Sequence, residues 1–255
     1  MVHRRRHPVV HSSAKVRVSI GILMIGSLYW DDESRRKSWR QARLNFSEGT
    51  NVTAPIRYGR KSDSRGCSYT MVFSPFLRGN KRHLGTAVAV PCKRSVRSIE
   101  DLIHEAEWLW AAEAKLKRPT SAISAQWGCV GLLLNPNGKI PKELLIGWRK
   151  RVSEEIRYGR VLGMRDEKPI IDSAGYLNID WPSKVGGGNT ELDILLATAT
   201  DPTPSVQGVY PTSREIAEGW KTEDGRCYVN YFWCNRKHNI TTFQDADIQR
   251  HLTNN

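Results

Sequence analysis

Two short stretches carry residue types whose spacing could do chemistry. The first is "IEDLIHEAEWLWAAEAKLK", Ile99 to Lys117. At about 100° per residue, Ile99, Leu102, Ile103, Ala106, Leu109 and Trp110 gather on one face of a helix, and Glu113 falls roughly 20° from its centre. Glu105 and Glu107 fall on opposite flanks, while Glu100, Asp101 and His104 point away. Glu113 is therefore the one carboxylate expected to face inward. A carboxylate in the interior must be neutral, paired or working, because an unpaired buried charge costs several kcal/mol. Desolvation moves such an acid toward the range where proton transfer near neutral pH is efficient. The bland alternative is that Glu113, close to the helix end, reaches solvent or an arginine.

The second stretch is "VSIGILMIGSLYW", Val18 to Trp30. Val18 to Ile25 is aliphatic on both parities, as in a strand buried on both faces. Gly26 and Ser27 then end it. A strand stopping in Gly-Ser presents backbone N–H groups, allows a ligand close approach at the glycine and adds a hydroxyl, a set that suits a carboxylate or a developing oxyanion. A plain strand-to-loop turn is the alternative. Further on, Arg57, Arg60, Ser62 and Arg65 crowd a predicted strand, and arginines there could clamp an anion bidentately. Cys67 stands beside Arg65 but has no partnered histidine.

The elements that must position these residues are legible in outline. Ser68 to Ser74 and Thr86 to Val90 read as strands, with Pro91 closing the latter. Ser98 is the expected N-cap of the helix from Ile99, Asp101 completes an S-x-x-D box, and Pro119 marks its stop. Gly128 to Leu134 is another buried strand, followed by the turn Asn135-Pro136-Asn137-Gly138. Pro141 to Tyr158 has helical periodicity, Gly186 to Gly188 marks a loop, and Leu192 to Thr200 reads as a strand. Thr212 or Ser213 caps a short helix through Trp220, and "CYVNYFW", Cys227 to Trp233, alternates as a strand does. Strands and helices interleave irregularly, which places the chain in the α+β class.

The balance of 39 Lys and Arg against 26 Asp and Glu, a formal charge of +13, favours acidic partners. A small anionic substrate or ligand fits that balance. Nucleic acid is motivated by the charge alone and is not favoured, because no RNA-binding signature, helix-turn-helix pattern or zinc-finger spacing accompanies it. The five cysteines are odd in number and form no C-x-x-C pair, so neither a disulfide framework nor a zinc cluster is indicated. No metal ligand set and no cofactor is expected. Residues 1–14, with Arg4, Arg5 and Arg6, read as a disordered basic leader. The apolar run after it is too short to span a bilayer, and Leu28-Tyr29-Trp30 stands where an export signal would carry small residues, so no membrane association and a cytoplasmic location are expected.

"MIGSLYWDDESRRKSWRQARL" (Met24 to Leu44) resembles the start of the γ-glutamylcyclotransferase-like superfamily, especially its ChaC-type branch, in which a first strand runs into a Tyr-Gly-Ser-Leu loop followed by an Arg- and Trp-containing segment. "LGTAVAVP" (Leu84 to Pro91) is similar to the family's Gly-Val-containing strand, and the helix after it ends with a glutamate. "LLATATDPTPSVQGVYPTSREIAEGW" (Leu195 to Trp220) resembles its late strand, Pro-rich loop and helix. The resemblance covers about half the chain, in three patches. It implies a small mixed β-barrel with flanking helices, built from residues 15–255 as one domain with an unmatched insertion near 120–188. It also implies an activity, the release of 5-oxoproline from a γ-glutamyl amine or peptide, with Glu113, matched by its order and inward face, as general acid/base and Gly26, Ser27 and Leu28 matching the loop that grips the γ-glutamyl group. With the arginines read above, the expected substrate-binding set is Ile25, Gly26, Ser27, Leu28, Tyr29, Arg57 and Arg65. Ile25 replaces the family's tyrosine, leaving Tyr29 to supply a hydroxyl. A non-catalytic binding protein for a small anion or nucleotide-derived ligand on the same fold is the alternative, and a nucleic-acid-associated basic protein a second one.

Overall fold

The computed structural model describes residues 17–62, 68–155, 158, 168–203, 206, 208–221 and 226–253. The expected leader, with Arg65 and Cys67, lies outside the described residues.

The run that opens the domain forms β1 (Ile20–Met24), buried at all five positions. It is the spine of a six-stranded sheet. The other members are β2 (Thr50–Ala54), β5 (Gly85–Pro91), β6 (Ser124–Ala125), β7 (Gly128–Leu134) and β8 (Ile194–Thr200), in the order β2-β5-β1-β8-β7-β6. Ile22 faces Val90 across an antiparallel pair on one side and Leu196 across a parallel pair on the other. The remaining pairs are antiparallel. Aliphatic residues on both parities suit this position, since a central strand with both faces covered gains from every side chain.

Two strands stand apart, β3 (Ile56–Ser62) and β4 (Ser68–Phe73), joined as a separate antiparallel hairpin. This corrects the expectation of a closed barrel. Closure needs a continuous ladder, whereas among the described residues β3 has, besides β4, one isolated bridge, Arg60 to Thr203 outside the sheet, and β2 and β6 remain the sheet's edges. The class is mixed α+β.

The helices are α1 (Ser27–Trp30), α2 (Ser34–Arg43), α3 (Ile99–Glu113), α4 (Lys142–Ser153), α5 (Ser213–Lys221), α6 (Arg226–Lys237) and α7 (Asp245–Thr253). Ser98 caps α3 as expected, its hydroxyl accepting from the Asp101 N–H. Asp101 returns the bond to the Arg97 N–H rather than to that of Ser98. Thr212 and Glu215 form a reciprocal capping box at α5. Residues 120–188, expected as an insertion, supply β6, β7 and α4, and β7 lies inside the sheet.

Two further expectations are corrected. Helix α3 stops at Glu113, four residues early, because Lys115 turns left-handed at φ 55° and the Leu116 N–H bonds back to the Ala111 carbonyl. That is the Schellman closure, with lysine where glycine is usual. Cys227 to Trp233 is helical, within α6. Tyr231, Phe232 and Asn235 are buried while Asn230 and Trp233 are exposed, a period near 3.6 that the seven-residue window is too short to separate from alternation. No helix among the described residues is long and apolar enough to cross a membrane.

Candidate functional site

Where the parallel pair β1 and β8 ends, a cavity of about 520 Å³ opens. Its wall brings together the two stretches singled out by chemistry: Ile25, Ser27 and Leu28 from the end of β1 and the start of α1, and Glu113 from the end of α3. Gly26 makes the corner between them. Its φ of 68° is one that residues with a side chain rarely adopt, and a Cβ there would lie 2.2 Å from the Tyr231 hydroxyl oxygen. The glycine is therefore required twice over, by backbone conformation and by the close approach of α6.

Glu113 is joined to the loop by Arg36, which the charged appearance of "DDESRRKSWR" hides. In α2, Arg36, Trp39 and Arg40 are buried at helical spacing. The Arg36 side chain is 3% exposed. It donates to the Ser27 hydroxyl at 3.0 Å, to Asp31 Oδ2 at 3.1 Å and to the Ala112 carbonyl at 3.3 Å, and its Nη2 lies 3.5 Å from Glu113 Oε1. Arg40 holds the same corner from below, donating to the carbonyls of Leu28 and Asp31 at 2.9 Å. Glu113 is thus an ion-paired carboxylate at the cavity wall, with its side chain 20% exposed. It is not the most inward acid of its helix. Glu105 is more deeply buried and is bound at both oxygens by Arg43.

Two expected ligand contacts, those of Tyr29 and Arg57, fall elsewhere. Tyr29 does not line the cavity; it stacks on Phe46 at 4.7 Å and meets His238 edge-on, and burial raises its phenol pKa. The hydroxyl at the loop comes instead from Tyr231 of α6, which lines the cavity and accepts from the Met71 N–H. No local signal near Ile25 could announce it, since the partner lies some 200 residues away. Arg57 also points away, its guanidinium 3.9 Å from the centre of the Tyr210 ring and 5.6 Å from that of Phe243. A bulge at Gly59, between the rungs Tyr58–Met71 and Arg60–Thr70, shifts the facing of everything beyond it, and Arg60 and Ser62 line the cavity. Arg65 lies outside the described residues.

Arg60 is built in rather than waving. Its Nη1 donates to the carbonyls of Asp201 at 3.2 Å and Trp127 at 3.4 Å, and its guanidinium sits 5.7 Å from the Trp127 ring centre. Trp127 stacks in turn on Trp110, one helical turn before Glu113, with ring centres 4.8 Å apart. Lys115, itself the left-handed residue that follows α3, completes a lining that among the described residues carries three cations and one carboxylate. Such a wall favours anionic or zwitterionic ligands of small size. Among the described residues no group of three or more His, Cys, Asp or Glu side chains has the arrangement to hold a metal ion. Compared with family models, with curated proteins and with solved structures, the chain matches none.

Proposed function

We propose that the chain is a γ-glutamylcyclotransferase-like enzyme that releases 5-oxoproline from a γ-glutamyl amine or peptide. The observation that carries this reading is the convergence of Ser27 and Glu113 on one cavity, both held by the buried guanidinium of Arg36. In the proposed reaction, Glu113 accepts a proton from the substrate's α-amino group as that nitrogen attacks the γ-carbonyl carbon. The new C–N bond closes the five-membered ring, the original amide C–N bond breaks, and Glu113 returns the proton to the departing amine. The cations of the wall suit the substrate's carboxylate, and Arg36 keeps the acid and the loop hydroxyl in register.

The test is Glu113→Gln, assayed by 5-oxoproline formation over a panel of γ-glutamyl compounds. The expected loss is at least about 100-fold, with thermal unfolding close to that of the unaltered chain. Full activity in the variant would falsify the assignment.

A second reading, a non-catalytic binder of a small anion, is favoured by the excess of cations over carboxylates in the wall and by Ile25 in place of the family's tyrosine. It differs in one measurable respect. A binder raises the unfolding temperature with ligand but forms no product.

A further inference from the structure

One buried cation serves two acids. The Arg36 side chain meets Asp31 Oδ2 at 3.1 Å and Glu113 Oε1 at 3.5 Å. Asp31 is the nearer of the two and is tied down on every side. Its N–H donates to the Ser27 carbonyl at 2.8 Å, its carbonyl accepts from Arg40 at 2.9 Å, and its Oδ1 accepts from the Glu33 N–H at 3.0 Å. The neighbouring acids are engaged elsewhere. Asp32 pairs with Arg40 at 3.2 Å, and Glu33 caps α2 through the N–H groups of Arg35 and Arg36. The other acceptors around the guanidinium, the Ser27 hydroxyl and the carbonyls of Ala112 and Glu113, carry no charge. Among the described residues Arg36 thus has two counter-charges, one on the cavity wall and one behind it, since Asp31 is not among the lining groups.

A guanidinium does not lose its proton in a protein, and one buried this deeply is costly to leave without a counter-charge. The proposed reaction creates that situation. Once Glu113 has taken the proton of the substrate's amine it is neutral, and Arg36 would be stranded for that interval if Glu113 were its sole acid. We infer that Asp31 is a positioning residue, the standing counter-ion of Arg36, which lets Glu113 gain and return a proton without leaving a buried cation unpaired. The inference deepens the cyclotransferase reading and rests on it for the part Asp31 plays in turnover; the sharing of one guanidinium by two acids does not depend on it.

The first measurement needs no activity. Asp31→Asn, Glu113→Gln and the double variant are unfolded in denaturant beside the unaltered chain. Each acid backs up the other on one cation, so the folding equilibrium constant of the double variant is expected to fall about fivefold further than the product of the two single losses. Losses that simply multiply overturn the inference. If the double variant does not fold, adding Arg36→Met removes the stranded charge and is expected to restore folding; a triple variant that stays unfolded overturns it as well. The second measurement is 5-oxoproline formation. Asp31→Asn is expected to lower kcat at least about tenfold with KM within about twofold of its original value, the pattern of an interaction needed only while the enzyme holds the proton. A merely structural aspartate would lower stability and leave the kcat of the folded protein as it was, which overturns the inference while the cyclotransferase reading stands. A chain that makes no 5-oxoproline from any γ-glutamyl compound loses that reading, and with it the part of Asp31 in turnover, even where the double variant shows the coupling.

Discussion

At the scale of single residues, the site depends on one glycine and one arginine. Gly26 combines a left-handed φ with the Tyr231 hydroxyl standing where a Cβ would go. Gly26→Ala is expected to destabilise the fold by about 2 kcal/mol or more. Adding Tyr231→Phe should restore part of that loss, measured by denaturant unfolding; no rescue would show that the backbone strain alone is responsible. The Gly-Ser corner was visible in the sequence because its chemistry is local. The tyrosine against it was not, because nothing in a strand end specifies which distant helix will cover it. Arg36 lies between these cases. Its spacing with Trp39, Arg40 and Arg43 is that of one helical face, but a run so rich in charge reads as solvated surface until a buried partner is known.

At the scale of elements, α2 and α3 are fastened by a two-rung ladder. Arg36 and Arg43 are two turns apart on α2, and Glu113 and Glu105 are two turns apart on α3. The rungs pair Arg36 with Glu113 and Arg43 with Glu105, so the helices run antiparallel. The inner rung is structural. Glu105→Gln leaves the partly buried Arg43 charge without its partner and is expected to cost roughly 3 kcal/mol, read as a lowered denaturation midpoint. The outer rung opens on the cavity, so Glu113→Gln should cost distinctly less. A larger loss for Glu113→Gln would reverse these roles. The helix end that presents Glu113 is held by Lys115 in a left-handed conformation. Lys115→Gly should leave stability equal or raise it by up to about 1 kcal/mol, and Lys115→Val should lower it; a destabilised glycine variant would argue against strain at this turn. The caps at Ser98 and Thr212 were readable because capping chemistry is confined to four residues, whereas the length of α3 was misread because a lysine closes it where the usual signal is glycine.

At the scale of the whole molecule, one buried acid ties stability to pH. Burial raises the Asp245 carboxyl from 3.8 to about 6, against the hydrogen bonds from Thr242 and the charge of Arg236. Its second oxygen has no partner, and its charge adds to the burial that drives the Tyr58 phenol upward. Because the folded state holds this proton more tightly than the unfolded chain, Asp245's contribution is full at pH below about 4 and is lost as pH rises through about 6, a change of roughly 3 kcal/mol. Asp245→Asn keeps the acceptor for Thr242 and should flatten that part of the stability profile; an unchanged difference between acid and neutral pH would refute the account. The formal charge of +13 makes a further, separable expectation. If it served nucleic-acid binding, affinity would fall steeply with salt, and negligible binding at low salt removes that reading. By itself the sequence determined the α+β class, the central buried strand, the Gly-Ser corner and the helix ending near a glutamate, because burial periodicity and capping are properties of neighbouring residues. Only the tertiary structure decided that the sheet stays open, that Cys227 to Trp233 is helical, and that Arg60 rather than Arg57 meets the cavity. Those depend on hydrogen bonds and contacts between segments far apart in the chain, which no local pattern encodes.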